Sequence, residues 1–196
     1  MIRCSWCCDN GVVQKYHDEE WGIPLHDDKK HFEYLLMEVM QCGLNWTMML
    51  KKRAVFRACF DDFDYKKIAA YGENDIDRIL QYEGMIHSRQ KIAAIIGNAK
   101  GFIKIIEEFE SFDRFLWSFS EGNTYVYLKH QNDQSEVKNA LSDKISKELK
   151  KKGFKYLGSI TVFSHLQACG IINDHAPQCF MYDKINKMGR VKYIDD

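Results

Sequence analysis

Apolar residues along this chain recur mostly at spacings of three and four, the period of an amphipathic helix. After Asp28, the run KHFEYLLMEVMQCG puts Phe32, Leu35, Leu36 and Val39 on one stripe, with an Asp available as N-cap and Gly43 as terminator. The same pattern predicts a helix from about Thr47 to Phe60, a short one capped by Asp64 through Ala70, and another from Glu73 to Gln81. Ser88 opens the long striped run RQKIAAIIGNAKGFIKIIEEF, and Ser111 begins a shorter helix ending near WSF. The stretch 122–134 is polar except for TYVYL, which predicts a loop with a little strand. Asp143 is the expected cap of the lysine-rich run KISKELKKK, Gly153 its end, and a further helix runs from about Ser159 to Cys169. Beyond Tyr182 the polar run DKINKMGRVKYIDD predicts a mobile tail over 183–196. The expected fold class is all-α, with one domain over 1–182.

Composition narrows the setting more than the chemistry. A chain of 196 residues with two prolines and no low-complexity run fits one domain, or two lobes sharing a core. No stretch approaches membrane-spanning length, and Met1 to Trp6 lacks the apolar core of a signal peptide. Seven cysteines, an odd number, point to a reducing, cytoplasmic setting rather than a disulfide framework. The formal net charge of zero argues weakly against a nucleic-acid partner, but lysines crowd the segment 144–155.

Candidate metal ligands lie near the two ends of the chain. Cys4 and His17 near the start, with His175 and Cys179 near the finish, are the donor types that tetrahedral Zn²⁺ prefers. Cys7 and Cys8 compete for the same role, because Cys4 and Cys7 form a C-x-x-C. Cys42, Cys59 and Cys169 sit in apolar stretches and read as small buried hydrophobes.

Two further groupings stand out. The basic helix, the turn GFKYLG and the apolar helix after it form a helix-hairpin-helix unit over about 143–170, in which Gly153 and Gly158 let backbone approach a ligand. Amides opening the second helix suit a phosphate, with Lys155 beside them, whereas an ordinary αα-hairpin with a solvated charged face is the plainer alternative. Lys51, Lys52, Arg53, Arg89 and Lys91 would add phosphate contacts if they shared that surface. The second grouping is Tyr16, Trp21, Glu38 and Trp46 beside Trp6. Glu38 interrupts an apolar helix, so it needs a partner or a proton, unless it lies exposed at the helix edge next to a core aromatic cluster.

These signals meet in one family. The run C-x-W at Cys4 and Trp6, then YHDEEWGIP from Tyr16, then E-x-x-Q-x-G-L-x-W from Glu38 to Trp46, resembles the 3-methyladenine DNA glycosylase I family. The similarity continues through LKKR at 50–53, RACFDDFD at 57–64, GMIHSRQKIAAIIGNAKG from Gly84, and LKKKGFKYLGSITVFSHLQACGIINDH from Leu149. The resemblance implies a helix-hairpin-helix glycosylase fold with one structural zinc held by Cys4, His17, His175 and Cys179, leaving Cys7 and Cys8 aside. It implies a monomeric enzyme that flips a nucleotide from double-stranded alkylated DNA and hydrolyses the N-glycosidic bond of 3-methyladenine. Tyr16, Glu38 and Trp46 match the family's base-pocket residues, with Glu38 the residue that carries catalysis, and Trp6 matches an aromatic wall. Gly43, Leu44, Gly153, Lys155 and Gly158 are the expected DNA contacts, Leu44 either as a wedge or as a core contact after the helix-ending glycine.

The chain departs from the family pattern at several points. The usual D-P-x-Y is replaced over Asp9 to Val13, the residues after the pocket Glu are Val39 and Met40, and Asn45 stands for the common Ser. These changes raise an alternative, a DNA-damage-binding protein with weakened or lost turnover.

Overall fold

The computed structural model describes residues 1–8, 11–132 and 136–195. A 3-10 turn at Ser5–Cys7 leads to α1 (Gly11–Glu19), then α2 (Asp28–Gln41) and α3 (Trp46–Cys59). Next come α4 (Tyr65–Ala69), α5 (Glu73–Leu80), α6 (Arg89–Phe109), α7 (Phe112–Ser118) and the strand β1 (Thr124–Tyr127). The chain continues through α8 (Ala140–Lys151), α9 (Ser159–Ala168), α10 (Phe180–Asn186) and β2 (Val191–Ile194).

The helix α2 is the axis of the molecule. Every residue from His31 to Met40 is buried, because α3, α6, α7 and α9 all pack against it. Its sequence allows this only at a cost: a helix buried all round should be apolar all round, yet it carries His31, Glu33 and Glu38. The apolar stripe read from Phe32, Leu35, Leu36 and Val39 forms the core-facing part, joined by Phe102 and Phe112, whose rings stack 4.2 Å apart.

Most helix starts follow their caps. The side chains of Asn45, Asp64, Ser88 and Ser111 each accept a first-turn amide. The α2 cap is an Asp, as expected, and the α8 cap differs from expectation. Asp27 caps α2, accepting the Lys30 amide at 2.7 Å, and Asp28 is already helical. At α8 the cap is Asn139, which exchanges reciprocal bonds of 2.9 Å with Ser142, so Asp143 falls in the first turn.

Residues beyond Tyr182 take part in a short strand pair within a fold that otherwise matches the helical expectation. The chain is mostly helical, but β1 and β2 form a parallel pair in register from Thr124↔Val191 to Tyr127↔Ile194. β1 also bonds on its other side, with the Tyr125 amide donating to Ile171 and its carbonyl accepting from Asn173. The residues after Tyr182 therefore supply backbone partners for a short strand that would otherwise present an open edge. β1 in turn pins the segment that leads to Asp174 and His175.

Candidate active site

The site assembles at one end of α2. α1 contributes Tyr16, the final turns of α2 contribute Glu38 and Gln41, and the start of α3 contributes Trp46. Together with Trp6, Trp21, His130, Ser164, Gln167 and Asp174 they line a cavity of about 390 Å³. The rings of Tyr16 and Trp46 are tilted at 54° with centroids 5.6 Å apart, and Trp6 meets Trp21 edge-on at 4.9 Å. The indole N–H of Trp46 is buried and has no hydrogen-bond partner, so a donor is available in the pocket.

Glu38 is buried, and burial alone pushes its carboxyl up to about 8. Near neutral pH it is mostly protonated in the free protein. Burial likewise raises the Tyr16 hydroxyl well above its ordinary value, so it stays protonated too.

Beside the pocket lie the four candidate metal ligands, all buried, with their donor atoms within 4.8 Å of one another. They could hold one metal ion. Cys179 Sγ lies 3.4 Å from His17 Nε2 and 3.6 Å from His175 Nδ1, which is also 3.6 Å from Cys4 Sγ. Both rings are oriented from behind. His17 Nδ1 is 2.8 Å from Asp18, itself held by Arg3, and His175 Nε2 is 3.1 Å from the Trp21 carbonyl. A methyl at Gly22 would meet His175 Nε2 at 2.8 Å, and that residue has φ +80°, so glycine is required there. Cys7 and Cys8 instead turn their thiols toward the Cys4 carbonyl, at 3.1 and 3.4 Å. The cluster also supports the pocket: His17 lies 5.4 Å from Trp6, and His175 lies 4.6 Å from Trp21.

The expected DNA contacts fall on an adjoining surface. α8 packs against α9 through a turn in which Gly153 has φ +91° and Lys155 is exposed. The buried Asn98 side chain fixes this turn to α6 by bonding the Lys155 amide and carbonyl at 2.8 and 3.0 Å. Gly158 is the N-cap of α9 and supplies no side-chain acceptor for the first-turn amides. Cys42 Sγ lies 3.9 Å from the Tyr156 carbonyl, which places the Gly43–Leu44 loop beside the hairpin. Leu44 is partly buried against the core, while Gly43 is exposed.

Four of the five cations expected to add phosphate contacts have partners within the protein. Arg53 is committed to Glu20 and Glu33, Arg89 to Glu73 and Asp77, and Lys52 to the Gly84 carbonyl. Lys91 caps α2 through the Met40 and Cys42 carbonyls at 2.8 and 2.7 Å.

Comparison with known proteins agrees with this geometry. The family model described as methyladenine glycosylase matches residues 6–182. DNA-3-methyladenine glycosylase 1 of Escherichia coli (strain K12) is 42% identical over 182 residues, covering 93% of this chain and 97% of that protein. The chain belongs to the 3-methyladenine DNA glycosylase I family. DNA-3-methyladenine glycosylase of Haemophilus influenzae (strain ATCC 51907 / DSM 11121 / KW20 / Rd) is 38% identical over 177 residues, covering 90% of this chain and 96% of that protein. A solved structure addressing 3-methyladenine recognition by 3-methyladenine DNA glycosylase I from Staphylococcus aureus matches with TM-score 0.86 at 36% identity, covering 91% of this chain and 95% of that one.

The departures from the family pattern can now be placed. Val39 and Met40 are fully buried and do not line the pocket, so they alter the core and not the pocket wall. Asn45 caps α3, accepting the Met48 amide at 2.8 Å, a task Ser performs equally. Asp9 and Asn10, within the replaced D-P-x-Y stretch, lie outside the described residues, and Val13 is buried in the core. Gln41, His130, Ser164 and Gln167 line the pocket without having been singled out in the sequence. Ser164 and Gln167 are three apart on α9 and so share one face of it, but Ser159, Thr161 and His165 on the same helix leave that face unmarked in the sequence.

Proposed function

We propose that this protein removes 3-methyladenine from alkylated double-stranded DNA by hydrolysing its N-glycosidic bond, leaving an abasic site for base-excision repair. The observation that carries the reading is Glu38: a buried carboxyl with no cation beside it, at the wall of a pocket of aromatic rings. A purine methylated at N3 in DNA carries a formal positive charge. Against such a base Glu38 gives up its proton and accepts from the exocyclic amine, an attraction that neutral adenine does not offer. Stacking on Tyr16 and Trp46, with Trp6 and Trp21 as side walls, adds about 1 to 3 kcal/mol per ring contact, and more for a cationic base. The leaving group departs neutral, so catalysis consists mainly of extruding the nucleotide and holding the base.

The same reading assigns DNA contacts to Gly43, Leu44, Gly153, Lys155 and Gly158. Uncapped amides at the start of α9 receive a phosphate, and the Gly43–Leu44 loop beside them enters the space the nucleotide vacates. For the four-residue cluster we infer Zn²⁺. Zinc–sulfur and zinc–nitrogen bonds at tetrahedral angles put sulfur and nitrogen about 3.5 Å apart, close to the spacings of 3.4 and 3.6 Å found here. Two thiolates and two imidazoles complete its shell, so the ion would hold the chain ends and the Trp6–Trp21 wall in place.

The test is release of free 3-methyladenine from methylated duplex, followed by chromatography. Wild-type protein is expected to release it and Glu38→Gln to lose about a hundredfold in rate while remaining folded. Release no greater than buffer alone would sink the reading, and tight binding of alkylated duplex without release would favour the damage-binding alternative.

A further inference from the structure

One pocket residue is built into the wall with more care than a lining residue needs. His130 lies in the 3-10 turn Leu128–Asn132 that follows β1, stacked on Tyr127 at 4.9 Å and edge-on to Phe163 of α9 at 6.0 Å. Its side chain is 5% exposed. Nδ1 is 2.8 Å from one oxygen of Asp174, and the other oxygen of Asp174 accepts from Gln167 Nε2 at 2.6 Å. A carboxylate at Nδ1 holds the ring proton there, which leaves Nε2 as a lone pair. That atom is buried and has no partner among the described residues. An unmet buried acceptor costs about 1 to 3 kcal/mol, a cost that is understandable where a ligand brings the donor.

We propose that His130 is the general base of the reaction, its Nε2 taking a proton from the water that attacks the flipped nucleotide. The inference rests on the glycosylase reading above. In the step, the water oxygen bonds to C1′ while the C1′–N9 bond breaks, its electron pair going to the cationic base, which leaves as neutral 3-methyladenine. The water proton passes to Nε2, and the resulting imidazolium is held by Asp174. Asp174 is a positioning residue: with both oxygens engaged by His130 and Gln167, it acts through the ring.

The other titratable groups of the pocket do not fit this role. Glu38 is engaged with the base, and the Tyr16 hydroxyl stays protonated. The position of His130 agrees as well. Its wall is built on α9 through Phe163, Ser164 and Gln167, and Ser164 lies six residues, about 9 Å, along the helix from Gly158. A sugar joins phosphate to base, so a nucleotide anchored at the start of α9 presents its sugar to this wall.

Single-turnover release from methylated duplex tests the proposal, using the full chain and, in parallel, binding of free 3-methyladenine followed by tryptophan fluorescence. His130→Gln is expected to lose about a hundredfold in rate, with base affinity changed by less than about threefold. His130→Ala opens a ring-sized space, and added imidazole is expected to restore its rate by at least about tenfold, a recovery that a purely structural role does not give. H130Q within about threefold of the wild-type rate, rate and base affinity falling by the same factor, or no response of H130A to imidazole would each overturn the proposal. Absence of release by the wild-type protein would instead overturn the glycosylase reading on which it stands.

Discussion

Glu33 and Glu38 sit five residues apart on α2, about 140° around the helix, and both are buried. Glu33 lies among cations: Arg53 bonds it directly, Lys30 is 3.1 Å away and Arg57 3.7 Å. Arg53 also grips Glu20 with a two-pronged contact of 2.7 and 2.8 Å. Glu38 has no ion-pair partner among the described residues and lies at the pocket of aromatic rings. A buried carboxylate supplied with cations is part of the frame, whereas one left without them keeps its proton until a cation arrives from outside. The two ends of a single helix thus divide stability from recognition.

The strongest way to break this comparison is Arg53→Met. Removing one partner of a buried ion pair leaves the other charge unmatched, at a cost of about 3 to 5 kcal/mol, and Lys30 brings the expected loss to the lower end. Urea unfolding at neutral pH measures it. Base release per folded molecule should stay at the wild-type level, because Arg53 does not line the pocket. A loss under about 1 kcal/mol would mean that Glu33 does not depend on this partner.

Next in size is the pH dependence of stability, which should have opposite signs at the two ends. The folded carboxyl of Glu38, raised to about 8, binds its proton more tightly than in the unfolded chain. Its contribution is full below the unfolded value near 4.5 and is lost as pH rises through about 8. The stability of Glu38→Gln relative to wild type should therefore rise by roughly 3 kcal/mol between pH 5 and pH 7.5. Parallel pH–stability curves for the two proteins would remove the basis for a proton on Glu38.

Glu20 supplies the converse at smaller size. Burial pushes its carboxyl up, but Arg53 and Lys30 outweigh burial and bring it down to about 2. Its stabilisation is present above the unfolded value near 4.5 and is lost as pH falls through about 2. Glu20→Gln should cost roughly 1 kcal/mol at pH 7, a difference that closes as acid is added. A cost that stays constant from pH 7 to about 2 would show that packing, and not charge, sets its effect.

Much of this helix was legible in the sequence, but not the division between its ends. Phe32, Leu35, Leu36 and Val39 announce the buried face by spacing alone, and Glu38 is conspicuous as a carboxylate in an apolar run. Glu33 looks equally anomalous, and nothing local tells the two apart, because its partner Arg53 is twenty residues away on α3. Distance in sequence hid other features for the same reason. β2 becomes a strand only when β1, some sixty residues earlier, offers a free edge. His130 reads as a lone histidine in a polar loop until Asp174 is folded against it. The four candidate metal ligands were readable as donor types, but the choice of Cys4 over Cys7 and Cys8 depends on where one 3-10 turn points their thiols.

The smallest expected effect concerns the junction between the two functions, where Asn45 links the pocket helix α2 to α3. Its side chain accepts the Met48 amide, and the residue that follows, Trp46, lines the base slot. If Asn45 serves only as a cap, a serine hydroxyl can take the same amide, since both residue types rank together at this position. Asn45→Ser should then change unfolding free energy by less than about 0.5 kcal/mol and leave base release unaltered. Asn45→Ala, which removes the acceptor, should cost about 1 kcal/mol in stability and loosen the start of α3. A rate change in Asn45→Ser without a stability change would place Asn45 on the recognition side of the helix, and the boundary drawn between Glu33 and Glu38 would have to extend beyond α2.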